Sequence, residues 1–313
     1  MSPRVRVRVP ATSANLGPGF DSFGLALDWH DVVTATVDRT SADGRGQAVR
    51  ADRRRTVVEV VGEGAGVVPD DDRHLVARSM RETFDLLRVR ADHLRLHCEN
   101  SVPHGRGLGS SAAAIVAGVL AARALAGAAT ELLPDDAVLA LGARIEGHPD
   151  NVAACLLGGL TIAWTSHQQP RAVRLEVHPE VRAVVCIPAA VLSTEAARGL
   201  LPEAVPHADA ARNAAGAALL VEALTRRPDL LLDATHDLLH QKYRASAMPD
   251  SLALVDELRA RGLAAVVSGA GPSVLVLAAR PDDTALVVDV AGRAGWQVRP
   301  LEVDRCGAVV EPL

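Results

Sequence analysis

Apolar and charged residues alternate strictly from Arg4 to Val9, as RVRVRV. A period of two predicts a half-buried strand with Arg4, Arg6 and Arg8 wet and Val5, Val7 and Val9 inside. Valine-rich runs at 32–37 (VVTATV) and 56–61 (TVVEVV) predict two further strands. Residues 72–87 carry a helical period, and 94–103 (LRLHCENSVP) return to a strand that ends at a proline. A glycine-rich loop follows. An apolar, alanine-rich stretch then predicts a long helix over about 110–126, a core element shorter than the ~20 apolar residues that span a bilayer. Pro134 with Asp135 and Asp136 opens another helix, to about Glu146. Residues 156–164 (LLGGLTIAW) offer turn glycines and a strand.

The polar, unperiodic run SHQQPR at 166–171 predicts the domain boundary, giving units of 1–165 and 166–313. Beyond it, 181–188 (VRAVVCIP) reads as a strand and helical segments fill about 208–262. AAVVSG and SVLVLAA form a hairpin across AGP, and a helix over 282–295 precedes a last strand at 296–303. Strand, helices, hairpin, helix, strand is the pattern of a split βαβ sandwich. RADRRR, residues 50–55, reads as a solvated turn.

Composition narrows the chemistry. The 313 residues are 49% hydrophobic with only 2% aromatic, so the core is built from Leu, Val, Ala and Ile. A net charge of -5 argues against nonspecific nucleic-acid binding. Cys98, Cys155, Cys186 and Cys306 form no CxxC pair and read as buried thiols of a reducing compartment. The N-terminus lacks the apolar core of a signal peptide, so a cytoplasmic protein is expected. Lys242 is the only lysine, leaving a single candidate for any lysine chemistry.

The loop PHGRGLGSS, residues 103–111, carries glycines at 105, 107 and 109 ahead of two serines and the apolar helix. Glycines let backbone amides converge on one anion, and a helix start adds free N–H groups and its positive dipole end. The run lacks the lysine of a P-loop and the spacing of a dinucleotide fingerprint. On its own it fits either a lysine-free phosphate cradle or a plain strand-to-helix turn.

Four motifs occur together and in order. The segment PxxxGLGSSAA (103–113) resembles the phosphate loop of the GHMP kinase superfamily. VPATSANLGPGFDSFGLAL (9–27) and EGHPDNVAACLLGG (146–159) resemble motifs of its homoserine kinase family, and SGAGPSVLVL (268–277) resembles the third glycine motif of the superfamily. The resemblance implies an α+β, two-domain GHMP kinase fold. Its N-terminal half is a ribosomal-protein-like α+β domain, and its C-terminal half a ferredoxin-like split βαβ domain. It implies ATP-dependent phosphorylation of the L-homoserine side-chain hydroxyl, a step towards threonine, with Mg²⁺, and a homodimer. ATP would be held by Pro103, His104, Gly105, Arg106, Gly107, Leu108, Gly109, Ser110, Ser111, Ala112 and Ala113. Ser110 and Glu146 would hold the metal ion. Asn15 and Asp21 would take the substrate ammonium, and Thr194, Arg198 and Arg244 would contact the substrate, with arginine suited to its carboxylate. Asp150 and Asn151 would orient the attacking hydroxyl, with His148 and Gly269 beside the substrate. Whether Asp150 removes a proton stays open, because a loose phosphoryl-transfer transition state runs largely on positioning and charge neutralisation. Arg106 either adds charge near the phosphates or points to solvent. The chain departs from the family where Ala154 stands after DNVA, a place where proline is common, and in the loop, where His104 and Arg106 are bulkier and more polar than the small residues of other versions. His236 and His240, four apart on an expected helix, read as ordinary polar or core histidines, since no Glu follows His236 to complete a zinc motif.

Overall fold

The structure, a computed structural model, describes residues 3–38, 55–127 and 132–313. Most of the 50–55 charge cluster lies outside these residues; Arg55 opens a strand. Eleven strands and nine α-helices are described, arranged around two sheets.

The first sheet holds seven strands. β11 (Val309–Pro312), β1 (Arg4–Ala14), β2 (Phe23–Asp38), β4 (His93–Asn100) and β3 (Arg55–Gly62) lie in that order, and β5 (Leu160–Ser166) pairs with the start of β2 and with β6 (Gln169–Leu175). Only β3 and β4 run parallel. The alternation in β1 does what a pleat requires: Val5, Val7 and Val9 are buried while Arg4 and Arg6 face water. One face of this sheet carries α1 (Leu75–Leu86), α2 (Ser110–Leu125), α3 (Asp135–Glu146) and α4 (Asp150–Leu157). α2 is apolar on nearly all sides because it runs through the middle of that layer.

The second sheet is β10-β7-β9-β8, antiparallel throughout: β7 (Arg182–Ile187), β8 (Ala264–Val267), β9 (Val274–Ala278) and β10 (Gln297–Leu301). In chain order this is 4-1-3-2, the ferredoxin-like arrangement. Between β7 and β8 run α5 (Thr194–Arg198), α6 (His207–Thr225), α7 (Leu231–Ala234) and α8 (Pro249–Ala260), and α9 (Asp283–Arg293) follows β9. Val184, Val267 and Val276 pack on α8 and α9; Val185, Val266 and Leu275 pack the other way with Leu25 and Leu27 of the first sheet. Both faces are covered, which explains unbroken apolar strands without alternation. The second core joins the two sheets.

The polar run 166–171, expected as a boundary, is instead the tight turn of the β5–β6 hairpin. His167 and Gln168 take positive φ there, 49° and 61°. The chain first changes sheet between β6 and β7, and it returns between β10 and β11, which brings its end back to β1. A polar turn and a linker share the same composition, so the run could not distinguish them.

Candidate active site

β1 bends as it approaches the site. Its pairing with β2 slips between Pro10 and Ala11, at a residue that has no N–H to give the ladder. The slip sets Thr12 and Ser13, both buried, against the glycine loop. That loop takes positive φ at Gly105, Gly107 and Gly109. A Cβ on Gly107 would stand 2.2 Å from the Ser268 carbonyl oxygen, and one on Gly109 1.9 Å from Thr12 Oγ1. Both positions therefore need glycine for φ and for space. Ser268 Oγ donates to the Gly107 carbonyl at 2.7 Å, fixing the loop to the hairpin of the second sheet. α2 starts at Ser110 with no side-chain cap, so its first amides stay open.

A charged cluster faces that helix mouth. α3 ends at Glu146 with Gly147 in a left-handed conformation, and Pro149 prevents one continuous helix before α4 starts at Asp150. This break gathers four side chains. Ser111 Oγ donates to Glu146 Oε1 at 2.5 Å, and His148 Nδ1 donates to Asp150 Oδ1 at 2.6 Å. The Asn151 amide also donates to Asp150 Oδ1, at 2.7 Å, and Thr12 Oγ1 donates to Asn151 Oδ1 at 2.7 Å. Burial, with the like charge of Asp150, pushes the Glu146 carboxyl up from its ordinary range against the pull of Ser111, His148 and Arg198. Burial alone would lower His148, but the hydrogen bond and charge of Asp150 and the charge of Glu146 outweigh it and hold the imidazole above its usual value.

The third wall is the loop 15–21. Asn15, Leu16 and Asp21 all take positive φ. Asn15 Nδ2 donates to the Gly269 carbonyl at 2.8 Å and its Oδ1 accepts from the Asp21 amide at 3.0 Å, so Asn15 braces the loop from inside. Asp21 accepts both guanidinium nitrogens of Arg198, at 2.6 and 3.0 Å. The two groups expected at opposite ends of a substrate are paired with each other here. Arg244 is 1% exposed and lies in a 3₁₀ turn, Lys242–Ala247. Its Nε donates to Ala197 O, and its Nη1 to His240 Nδ1 and Gly269 O. Among the described residues no carboxylate contacts Arg244, the charges of Asp21 and Asp237 acting from farther off, and none accepts from its Nη2. Burial and the Arg198 charge press its pKa down.

One cavity of about 190 Å³ joins these walls. It is lined by Asn15, Gly105, Gly107, Leu108, Gly109, Ser110, Ser111, Glu146, His148, Asp150, Asn151, Thr194, Arg198, Arg244 and Gly269. Asp21 joins them through Arg198. A second cavity of about 310 Å³ lies across Ser110 and Ser111, with Val33, Val68 and Val76 in its walls; His104 and Ala113 line this one. A wider groove of about 760 Å³ behind α3 touches the cluster only through His148. Pro103 and Ala112 are buried outside the first two cavities. Arg106 turns away from the loop mouth and donates to Pro188 O and Ala189 O at 3.0 and 3.1 Å.

His236 and His240 do not share a helix. Asp237 captures the amides of Leu239, His240 and Gln241 with its carboxylate, which stops helical pairing. His236 is exposed and His240 fully buried. Three cysteines are buried as expected, with Cys98 and Cys186 pushed up to about 12 by burial, but Cys306 is exposed. Thr12, Ser13, Phe20, His240 and Ser268 support the site without having been marked as candidates. Thr12, Ser13 and Phe20 lie inside the motif 9–27 and Ser268 inside 268–277, but their roles depend on burial, which tertiary packing sets.

Residues 74–159 match the family of GHMP kinases N terminal domain, and residues 219–295 that of GHMP kinases C terminal. A homoserine kinase of Streptomyces avermitilis is 53% identical over 311 residues, covering 99% of this chain and 96% of that one. One of Streptomyces coelicolor is 52% identical, covering 99% and 95%. The crystal structure of homoserine kinase from Cytophaga hutchinsonii superposes with a TM-score of 0.82 at 25% identity, covering 98% of this chain and 97% of that one.

Proposed function

The chain belongs to the homoserine kinase family of the GHMP kinases, and from that premise we propose how its residues carry phosphoryl transfer from ATP to the side-chain hydroxyl of L-homoserine, giving ADP and O-phospho-L-homoserine. This reaction is a step towards threonine. The triphosphate lies in the loop 103–109 against the first amides of α2, where backbone N–H groups and the helix dipole take the place of a lysine. The neighbouring cavity, apolar at Val33, Val68 and Val76, receives the base.

Homoserine occupies the smaller cavity. Its carboxylate meets Arg244, and the Asp21–Arg198 pair opens to exchange partners with the zwitterion: Asp21 takes the ammonium and Arg198 shares the carboxylate with Thr194 at the start of α5. The single observation that carries this reading is Arg244 itself. A buried guanidinium that no carboxylate contacts, with Asp21 and Asp237 acting on it only from farther off, is costly unless an anion completes the site.

Asn151, braced by Thr12, and Asp150, braced by His148, orient the hydroxyl for in-line attack. Asp150 Oδ1 already has three donors, His148 Nδ1, the Asn151 backbone amide and, at 3.5 Å, Asn151 Nδ2, which favours a positional role, with the hydroxyl proton leaving late. Ser110 and Glu146 fit a magnesium ion. Their donors are hard oxygens, and the Glu146 carboxyl is held up by burial as a site short of positive charge would be. Ser111 keeps Glu146 in place. When bound, Mg²⁺ supplies charge neutralisation at the β- and γ-phosphates. We place the protein in the cytoplasm, supported by buried free thiols at Cys98, Cys155 and Cys186, and expect the homodimer of its family.

The test is a phosphorylation assay with ATP and Mg²⁺ across L-homoserine, mevalonate, galactose and shikimate. Turnover of homoserine alone is expected. Absence of homoserine phosphorylation overturns the substrate assignment.

A further inference from the structure

Arg244 reaches the cavity only because something holds its planar head. Two of its nitrogens are tied, Nε to Ala197 O at 3.2 Å and Nη1 to His240 Nδ1 at 3.1 Å and Gly269 O at 3.3 Å. Nη2 is left for a ligand.

His240 is 0% exposed and its two ring nitrogens have fixed roles. Nε2 lies 3.0 Å from the Gly17 carbonyl, which can only accept, so Nε2 carries the proton. Nδ1 faces a guanidinium, which can only donate, so Nδ1 is bare. The ring is thus a neutral strut between the substrate loop and Arg244. Phe20, from the same loop, stacks on it with ring centroids 5.2 Å apart at 28°. The guanidinium carbons of Arg244 and Arg198 lie 5.5 and 5.7 Å from the Phe20 centroid. One aromatic ring therefore sets both cations side by side, within the range where the ring face attracts them.

We propose that His240 and Phe20 are positioning residues that aim Nη2 of Arg244 at the carboxylate of the amino-acid substrate, and so set the preference for an α-carboxylate over an uncharged end. This rests on the homoserine reading above. The charged groups facing His240 are Arg244 and Asp237 from its own segment and Asp21 from the loop opposite. Burial, reinforced by Arg244, holds its pKa below the ordinary histidine value, which keeps the strut neutral.

The experiment compares L-homoserine with 3-aminopropan-1-ol, the same chain without the carboxylate, as substrate or as competitive inhibitor, in the full-length protein at saturating ATP. H240L removes both hydrogen bonds, H240N keeps an acceptor near Nδ1, and F20L removes the ring. Expected for H240L and F20L is a homoserine KM raised about 10- to 100-fold, the range for losing a charge-assisted hydrogen bond. The constant for aminopropanol and the ATP KM stay within about twofold, and H240N regains most of the loss. Equal weakening of both ligands, or no weakening of either, overturns the proposal. If H240L does not fold, H240N and F20L decide the matter by the same ratio. A wild-type protein that fails to phosphorylate homoserine strikes the underlying reading instead, a different result.

Discussion

Thr12 shows how much a single hydroxyl can direct. It is fully buried, and its proton goes to Asn151 Oδ1, which leaves Asn151 Nδ2 on the side of Asp150 Oδ1, 3.5 Å away. A T12V substitution keeps the shape and deletes the donor. Stranding a buried acceptor costs about 1–3 kcal/mol, and about 1.4 kcal/mol is a factor of ten in rate. We expect kcat to fall about tenfold while both KM values move less than about twofold, measured by steady-state kinetics. Arg198 behaves differently if, as proposed, it meets the substrate carboxylate: R198A is then expected to raise the homoserine KM more than tenfold and leave the ATP KM nearly unchanged, roughly the loss of a bidentate pair. The sequence could nominate Arg198 and Arg244 only through the motif, since arginine is abundant along this chain. It could not reveal Thr12 or His240, whose roles depend on partners 139 and 223 positions away.

At the level of elements, local signals served well where one segment decides its own fate. α2 and α3 end within a residue or two of where alanine content and a Pro-Asp-Asp start put them. α4 escaped notice, because an eight-residue apolar helix looks like the turn and strand that follow it. The expected helix at 236–240 failed for a side-chain reason, the capture of three amides by Asp237. The join of loop and helix at Gly109 is the most demanding place. G109A forces a left-handed φ of 69° on a residue with a Cβ, and that atom overlaps Thr12 Oγ1. We expect the ATP KM to rise more than tenfold, with a strain cost of about 1–2 kcal/mol before any clash. Isothermal titration with a non-hydrolysable ATP analogue checks the binding loss directly.

For the molecule as a whole, buried histidines shape stability against pH. His240 and His74 have folded pKa values below the ordinary 6.5, chiefly through burial. As pH falls from about 6.5 toward those lowered values, the unfolded chain binds protons that the native state refuses, so their contribution is lost on acidification. His148 is raised, so its contribution is complete below about 6.5 and is lost as pH rises through its folded value. These three groups place a stability maximum near the ordinary histidine pKa. Melting scans should show a falling limb on each side; H240N is expected to flatten the acid limb and H148Q the alkaline one. The ferredoxin-like half and the seven-stranded half were both legible as patterns of strands and helices. The stitching between them was not, since a four-residue strand at 309–312 carries no periodicity of its own.

That returning strand has a consequence for the order of events on the ribosome. β11, the outer neighbour of β1, is synthesised roughly three hundred residues after it, and the Ser268 seat of the glycine loop emerges only shortly before β11. A nascent chain therefore carries an uncovered strand edge from the synthesis of β1 until β11 emerges. Nucleotide affinity should accordingly appear late, as a property of the released polypeptide rather than of its amino-terminal half alone.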